Sequence, residues 1–408
     1  MSKPAGAIAT TLPLNAPYGS NWLTKLWAIA VLTLIAATWR LWLPDSDFPA
    51  IPVGPWPFGT SYLDVGSVVG IVIGLGCIVI DKNGKRTPFL LVILGFLIAF
   101  ACNQHRLQPW AYQAVLHAIA IFALGHHAAR GWIMVISIGI YFYSACGKFD
   151  FQFLHTVGQE FISPVLGTSE GPPSRLRLLL AAILPTTELF IAVGLCLPKT
   201  RWYAGTAAIG MHVALIVALG PWLLGHSLGV LLWNAWLSFM AWALFVAPYE
   251  PPPQVTPTPT RGWSAMAGKA LLIFSLLLPL AERYGYWDHW LSWSLYSPHT
   301  SRVDIEVHRS AILSLPKASQ RFIDDDEDGD GWHSLSIDKW SLATLGAPVY
   351  PQARFQLGVA LAIAQDLPMK DTIRAKVRSV SDRWTGTRSE RWLAGVHEIE
   401  LAATDYWL

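Results

Sequence analysis

Apolar residues in this chain fill whole runs rather than one face of a helix. Long, nearly uncharged runs lie at 22–43, 62–80, 88–103, 110–125, 131–147, 177–197, 203–223, 226–247 and 266–282. A bilayer is crossed by roughly 20 mostly apolar residues, so the pattern predicts about nine spanning helices. The third and fourth runs are short, and "NQHRLQPW" between them allows only a tight connection. Between the eighth and ninth, "APYEPPPQVTPTPTRG" (247–262) is too rich in proline for a helix and reads as an extended linker.

The pattern changes from about Ser297. "RVDIEVH" places Val303, Ile305 and Val307 on one face, as a half-buried strand requires. "PQARFQLGVALAIAQ" combines Pro351 as a start signal with helical spacing of its apolar residues. "TIRAKVRSVSDR" and "AGVHEIELAAT" read as two further strands. The expected fold is an all-α polytopic membrane helix bundle with a small α+β C-terminal extramembrane domain. Its parts are a tail at 1–21, a bundle of about eight spans at 22–247, the Pro-rich linker at 248–265, a ninth span with an interfacial segment at 266–296, and the α+β domain at 297–408.

Composition supports the membrane reading. Only 14% of residues are charged, against about a quarter in soluble domains, and the 21 Trp suit the two membrane interfaces. A net charge of +2 gives no reason to expect a nucleic-acid partner. Cys77, Cys102, Cys146 and Cys196 lie in or beside apolar runs without zinc or redox spacing, and read as small buried side chains. The first run starts near Trp22, too late and too long for a cleaved signal peptide, so it is expected to be retained. Lys82, Lys85, Arg86, Arg130, Lys199, Arg201 and Arg261 fall in one set of loops, and Arg106, Lys148, Arg175 and Arg177 in the other. That imbalance predicts a cytoplasmic N-terminus in a cell (inner) membrane, and an odd number of spans then places the C-terminal domain outside the cytoplasm.

Candidate chemistry is sparse. In "DDDEDGDGWHS", a calcium loop starting at Asp324 has Asp326, Asp328 and Gly329 in place, but Leu335 stands where the bidentate Glu belongs. A start at Asp326 puts Ile337 there, so a solvated acidic turn is the better reading. His117 and His212 lie within spans and His126, His127 and His226 at span ends, with no haem-like pairing, so no metal is expected from them. Asp64, His117, Lys148, Glu188 and His212, with Arg106 at an edge, are polar groups at membrane depth, where each is costly without a partner or a task. Lys148 has two open readings. One is an anchor whose ammonium snorkels to the interface; the other is a desolvated lysine acting as a general base, with Glu188 and His212 on the same pocket.

"YFYSACGKFDFQFLHTVGQEF" resembles the signature of the vitamin K-dependent gamma-carboxylase superfamily and its bacterial relatives, the HTTM proteins. Tyr141, Phe142, Ala145, Lys148, Asp150 and Gly158 carry the match. "TTELFIAVGLCLPKTRWYAG", "MHVALIVALGPWLLGHSLGVLL" and "RLQPWAYQ" are similar to further blocks of that family, so the resemblance runs from about residue 20 to 300. It implies Lys148 as the base acting on a reduced quinone of the vitamin K or menaquinol type. The O2-dependent epoxidation that follows would drive carboxylation or a related proton abstraction. It further implies Asp150 as the orienting neighbour of Lys148, and His212, Glu188 and Tyr141 as quinone or substrate contacts. Two features depart from the family: Gly147 stands where the carboxylase has a second lysine, and the external domain is smaller. Expected partners are membrane lipids and a protein or small-molecule acceptor outside the cytoplasm. The rival expectation is a non-catalytic membrane scaffold whose external domain binds a partner. A transporter would show two matching halves with broken helices, a pattern this sequence lacks.

Overall fold

The computed structural model describes residues 21–44, 47–54, 61–168, 171–248, 262–326 and 329–404. Residues 1–20 of the predicted tail and 249–261 of the predicted linker lie outside them. Eleven helices build the bundle: α1 (Asn21–Ala37), α2 (Ser61–Ile80), α3 (Thr87–Cys102), α4 (Pro109–Leu124), α5 (His126–Lys148), the short α6 (Phe151–His155) and α7 (Val157–Leu166), α8 (Arg175–Cys196), α9 (Arg201–Leu219), α10 (Leu228–Ala241) and α11 (Trp263–Leu277). A π turn at Trp242–Val246 extends α10, and a 3-10 turn at Leu278–Tyr284 extends α11.

Every predicted span is helical, but the expected count of nine needs correcting. Among the described residues, six helices are long and apolar enough to cross a membrane, namely Tyr62–Ile80, His126–Lys148, Arg175–Cys196, Arg201–Leu219, Leu228–Val246 and Trp263–Tyr284. Trp22–Ala37, Thr87–Cys102 and Pro109–Leu124 are shorter apolar helices. The first run stops early because the chain turns into a 3-10 segment at Trp39–Trp42, ahead of Pro44. On the bundle's outer surface Ile73, Leu179, Phe190, Val217 and Phe274 are exposed. A helix bundle that turns large aliphatic and aromatic side chains outward on all sides is built for lipid, and this is an integral membrane protein.

The C-terminal domain is a four-stranded antiparallel sheet in the order β2-β1-β3-β4, from β1 (Arg302–His308), β2 (Trp332–Leu335), β3 (Ile373–Arg378) and β4 (Glu390–Ala394). Helices α12 (Lys317–Gln320), α13 (Ile337–Leu345), α14 (Ala353–Asp366) and α15 (Gly395–Ala403) complete it. Val303, Ile305 and Val307 are buried on one face of β1, as their alternation predicts. The expected strand in "AGVHEIELAAT" is instead α15. Its buried residues Ile399 and Ala402 follow helical spacing, while Leu401, which made the segment look alternating, is exposed. The Glu398 carboxylate accepts the Ala394 backbone N–H at 2.7 Å and so satisfies a donor at that helix start.

The domain docks on the bundle end formed by the C-terminal ends of α1, α3, α5 and α11. Phe48 packs tilted against Trp340 and parallel to Phe355, the Arg383 carbonyl accepts the Phe151 N–H at 2.8 Å, and Gln152 Nε2 donates to the Gly386 carbonyl at 2.8 Å. His105 is wholly buried in this seam, with Nε2 donating to the Pro348 carbonyl at 2.8 Å. Burial pushes its pKa down from 6.5 to about 4, and the nearby Arg106 cation acts the same way, against the smaller opposing pull of the Pro348 carbonyl. The unfolded chain therefore takes up a proton as pH falls through about 6.5 while the folded chain stays neutral until about 4. Stability should fall across that window by about 3 kcal/mol, and His105→Gln should flatten the pH profile by that amount. Thermal unfolding of the two proteins between pH 7 and pH 4 checks this; parallel profiles would refute it.

Candidate functional site

Lys148 is the last residue of α5, and α5 packs along α8. One helical turn before Lys148, Ser144 lies on the same face. Lys148 Nζ donates to Ser144 Oγ at 2.6 Å and to both carboxylate oxygens of Glu188 at 2.7 Å. Lys148 is 5% exposed and Glu188 9%. The ammonium has three N–H donors and three acceptors, so its hydrogen-bonding capacity is filled. This geometry corrects the snorkelling-anchor reading, because the Lys148 side chain turns into the bundle.

Tyr141 and His212 lie two turns deeper and are likewise buried. Asn234 Nδ2 donates to the Val230 carbonyl at 2.9 Å, which leaves its Oδ1 to accept from His212 Nδ1 at 3.0 Å. His212 Nε2 then carries a lone pair, and the Tyr141 hydroxyl donates to it at 2.9 Å. The chain runs Tyr141–His212–Asn234, each passing a hydrogen bond to the next, and ends on the Val230 backbone carbonyl. Trp233, next to Asn234 on α10, donates through Nε1 to Gln113 Oε1 at 2.8 Å and ties α10 to α4.

Both polar groups face one cavity of about 560 Å³. Leu184, Leu215, Leu237, Ile140, Phe153 and Trp110 supply much of its wall, and Trp290, Leu295 and Tyr296, from the segment after α11, also line it. Ala207, Gly210 and Ala214 of α9 line the cavity and are also exposed, so it reaches the lipid-facing surface of the bundle. A space of this size, mostly apolar with a few convergent polar groups, suits a ligand of drug-like dimensions.

The sequence-predicted residues thus divide. Lys148, Glu188, His212 and Tyr141 share the cavity. Asp150 does not act on Lys148: its side chain accepts the Gln152 N–H at 2.8 Å as the N-cap of α6, and it forms an ion pair with Arg283 beyond α11. Arg106 pairs with Asp64, with Nη2 to Oδ2 at 3.1 Å, and also donates to the Leu41 carbonyl at 3.0 Å, forming a separate buried knot at the domain end of the bundle. In the acidic run, residues 327–328 lie outside the described residues. Asp326 accepts the N–H groups of Gly329 and Gly331, and Asp330 accepts that of Trp332, so these carboxylates shape the turn. Sequence reasoning did not single out Ser144 and Asn234. Ser144 was legible from its i−4 spacing to Lys148, whereas nothing local marks Asn234.

The family model that matches is the methylamine utilisation protein MauE, over residues 126–227. The chain is similar to that family from α5 to the loop before α10, a segment containing Tyr141, Lys148, Glu188 and His212. No curated protein and no solved structure matches the chain. The match overturns the resemblance to the vitamin K-dependent carboxylase and HTTM proteins, since the stretch that carried it lies within the MauE match. Packing agrees at the position of departure. A Cβ on Gly147 would meet Ser297 Oγ at 2.6 Å and Ser294 Oγ at 3.2 Å, so the segment after α11 occupies the place a second lysine would need.

Proposed function

We propose that this chain is a non-catalytic membrane scaffold whose bundle holds an amphipathic molecule drawn from the bilayer. The reading rests chiefly on Lys148, whose three donors are all used by Glu188 and Ser144. Those contacts give Lys148 a structural task as one half of a buried ion pair, and the Tyr141–His212–Asn234 relay ties α5, α9 and α10 together. What remains is a neutral polar floor beneath an apolar cavity open towards lipid. That combination suits a molecule with a hydrocarbon tail and a hydroxyl or carbonyl head, a class that includes isoprenoid quinones. Methylamine utilisation describes the similar family, and a cavity of about 560 Å³ is far larger than methylamine itself. The excess of Lys and Arg in the loops on the side where α1 starts favours that side as cytoplasmic; the α+β domain packs against the turn that ends α1, on the far side, and would there meet a partner outside the cytoplasm.

Gly210 gives the test, because a Cβ there meets nothing within 4 Å. Gly210→Phe should enter the cavity mouth without displacing a helix. Purified wild-type protein should carry co-extracted bilayer molecules, identified by native mass spectrometry, and the variant should carry about tenfold less at unchanged Tm. Equal occupancy in the two proteins would sink the ligand-binding reading.

A further inference from the structure

Three side chains outside the cavity converge where the last span meets the α+β domain. Glu282 lies in the 3-10 turn that extends α11, His289 precedes the turn at Trp290–Ser292, and His299 precedes β1. His289 Nδ1 and His299 Nε2 both point at a single oxygen, Glu282 Oε1, each at 2.9 Å. The three ligand-capable atoms lie within 4.8 Å of one another. The side chains of His289 and His299 are 4% and 1% exposed, and that of Glu282 is 10% exposed.

We infer that Glu282, His289 and His299 form a binding site for a divalent transition-metal ion of the zinc class, which staples the end of the last span to the start of the C-terminal domain. Two ligands about 2.1 Å from one ion, at angles of about 90–109°, stand about 3.0–3.4 Å apart. The two observed 2.9 Å separations fall just short of that range and the third lies within 4.8 Å, so small shifts of these side chains admit an ion. Two imidazole nitrogens and one carboxylate oxygen select zinc-like ions over calcium or magnesium, which take oxygen ligands. Without an ion the Glu282 carboxylate accepts the N–H at His299 Nε2; metal binding moves that proton to Nδ1, which is buried with no hydrogen-bond partner to oppose the change of tautomer. The neighbouring cation, Arg283, is paired with Asp150, which offsets part of its repulsion of an incoming ion. Three protein ligands leave a fourth position for water.

The experiment uses the full chain in detergent. After chelation and dialysis, the wild type is titrated with Co2+ and separately with Zn2+, following visible ligand-field bands and Tm. One equivalent of Co2+ should give bands that Zn2+ abolishes, and Zn2+ should raise Tm while EDTA lowers it. Glu282→Gln keeps a hydrogen-bond acceptor for both imidazoles but loses the anionic ligand, so Zn2+ affinity should fall at least about tenfold while the apo protein stays folded. Absence of Co2+ bands in the wild type, together with a Tm indifferent to Zn2+ and EDTA, would make the cluster a hydrogen-bonded clamp and overturn the inference.

Discussion

Lys148→Met lowers stability by about 3–5 kcal/mol, and adding Glu188→Leu restores most of the loss. The single change removes the cation from a pair in which both side chains are almost fully buried, and leaves the Glu188 carboxylate with no counter-charge at membrane depth. The double change replaces the pair by apolar groups of similar reach, which buried sites often accept at little cost. Thermal unfolding in detergent, run on the wild type, both single variants and the double variant, gives the coupling directly. A lysine serving only as a chemical base would behave differently, because its loss would leave stability nearly unchanged and the double variant would recover nothing. The same series therefore tests the scaffold reading: if the double variant stays as unstable as Lys148→Met, the pair is not what holds α5 to α8.

The sequence made this pair findable but did not define it. A chain with so few charges cannot leave Lys148 and Glu188 unpartnered in lipid, so each needs an opposite charge nearby. Their separation of 40 positions places the partner on another helix, which only packing identifies. Helix type was legible for the same reason, since uninterrupted apolar runs have few alternatives. Helix length was less so: the first run continues in sequence through Trp42, while the backbone leaves the α-helix after Ala37. In "AGVHEIELAAT" a short apolar pattern fits either period, and the sheet had already filled its edge with β4. The convergence of Glu282, His289 and His299 was illegible because it depends on how the segment after α11 folds back. Residues 7 and 17 positions from Glu282 share no periodicity that would announce them.

The resemblance built on Lys148 and Asp150 shows how a local motif misleads. Two charges two residues apart look like one site, yet they face different neighbours. Lys148 closes the cavity with Glu188, whereas Asp150 caps α6 and holds Arg283. The motif marks the place where the membrane bundle ends and the C-terminal domain begins to pack against it. Two kinds of contact meet there, one sealing the cavity and the other fastening the domain.

The fastening has its own critical residue, Asp288. Both of its carboxylate oxygens receive the Arg354 guanidinium, with Nη1 to Oδ1 at 2.6 Å, and the Tyr350 hydroxyl donates to Oδ2. Arg354 Nε continues to Gln104 Oε1 at 3.0 Å, and Gln104 Nε2 to the Pro52 carbonyl at 2.7 Å, so the network runs from α14 to the loop beyond α3. Asp288→Ala strips the anion from a bidentate, nearly buried pair and should cost about 3–5 kcal/mol, most of it from the stranded guanidinium. Tyr350→Phe removes one hydroxyl donor from an acceptor that keeps Arg354, and should cost about 1 kcal/mol. Because Asp288 joins the domain to the bundle, its loss should appear as earlier amide exchange in α14 and β1, with the exchange of α5 and α8 unchanged. Hydrogen exchange on the full chain in detergent reads both regions in one experiment. Uniform acceleration in the two regions would mean that bundle and domain unfold as one cooperative unit, and that Asp288 stabilises the whole protein rather than the seam.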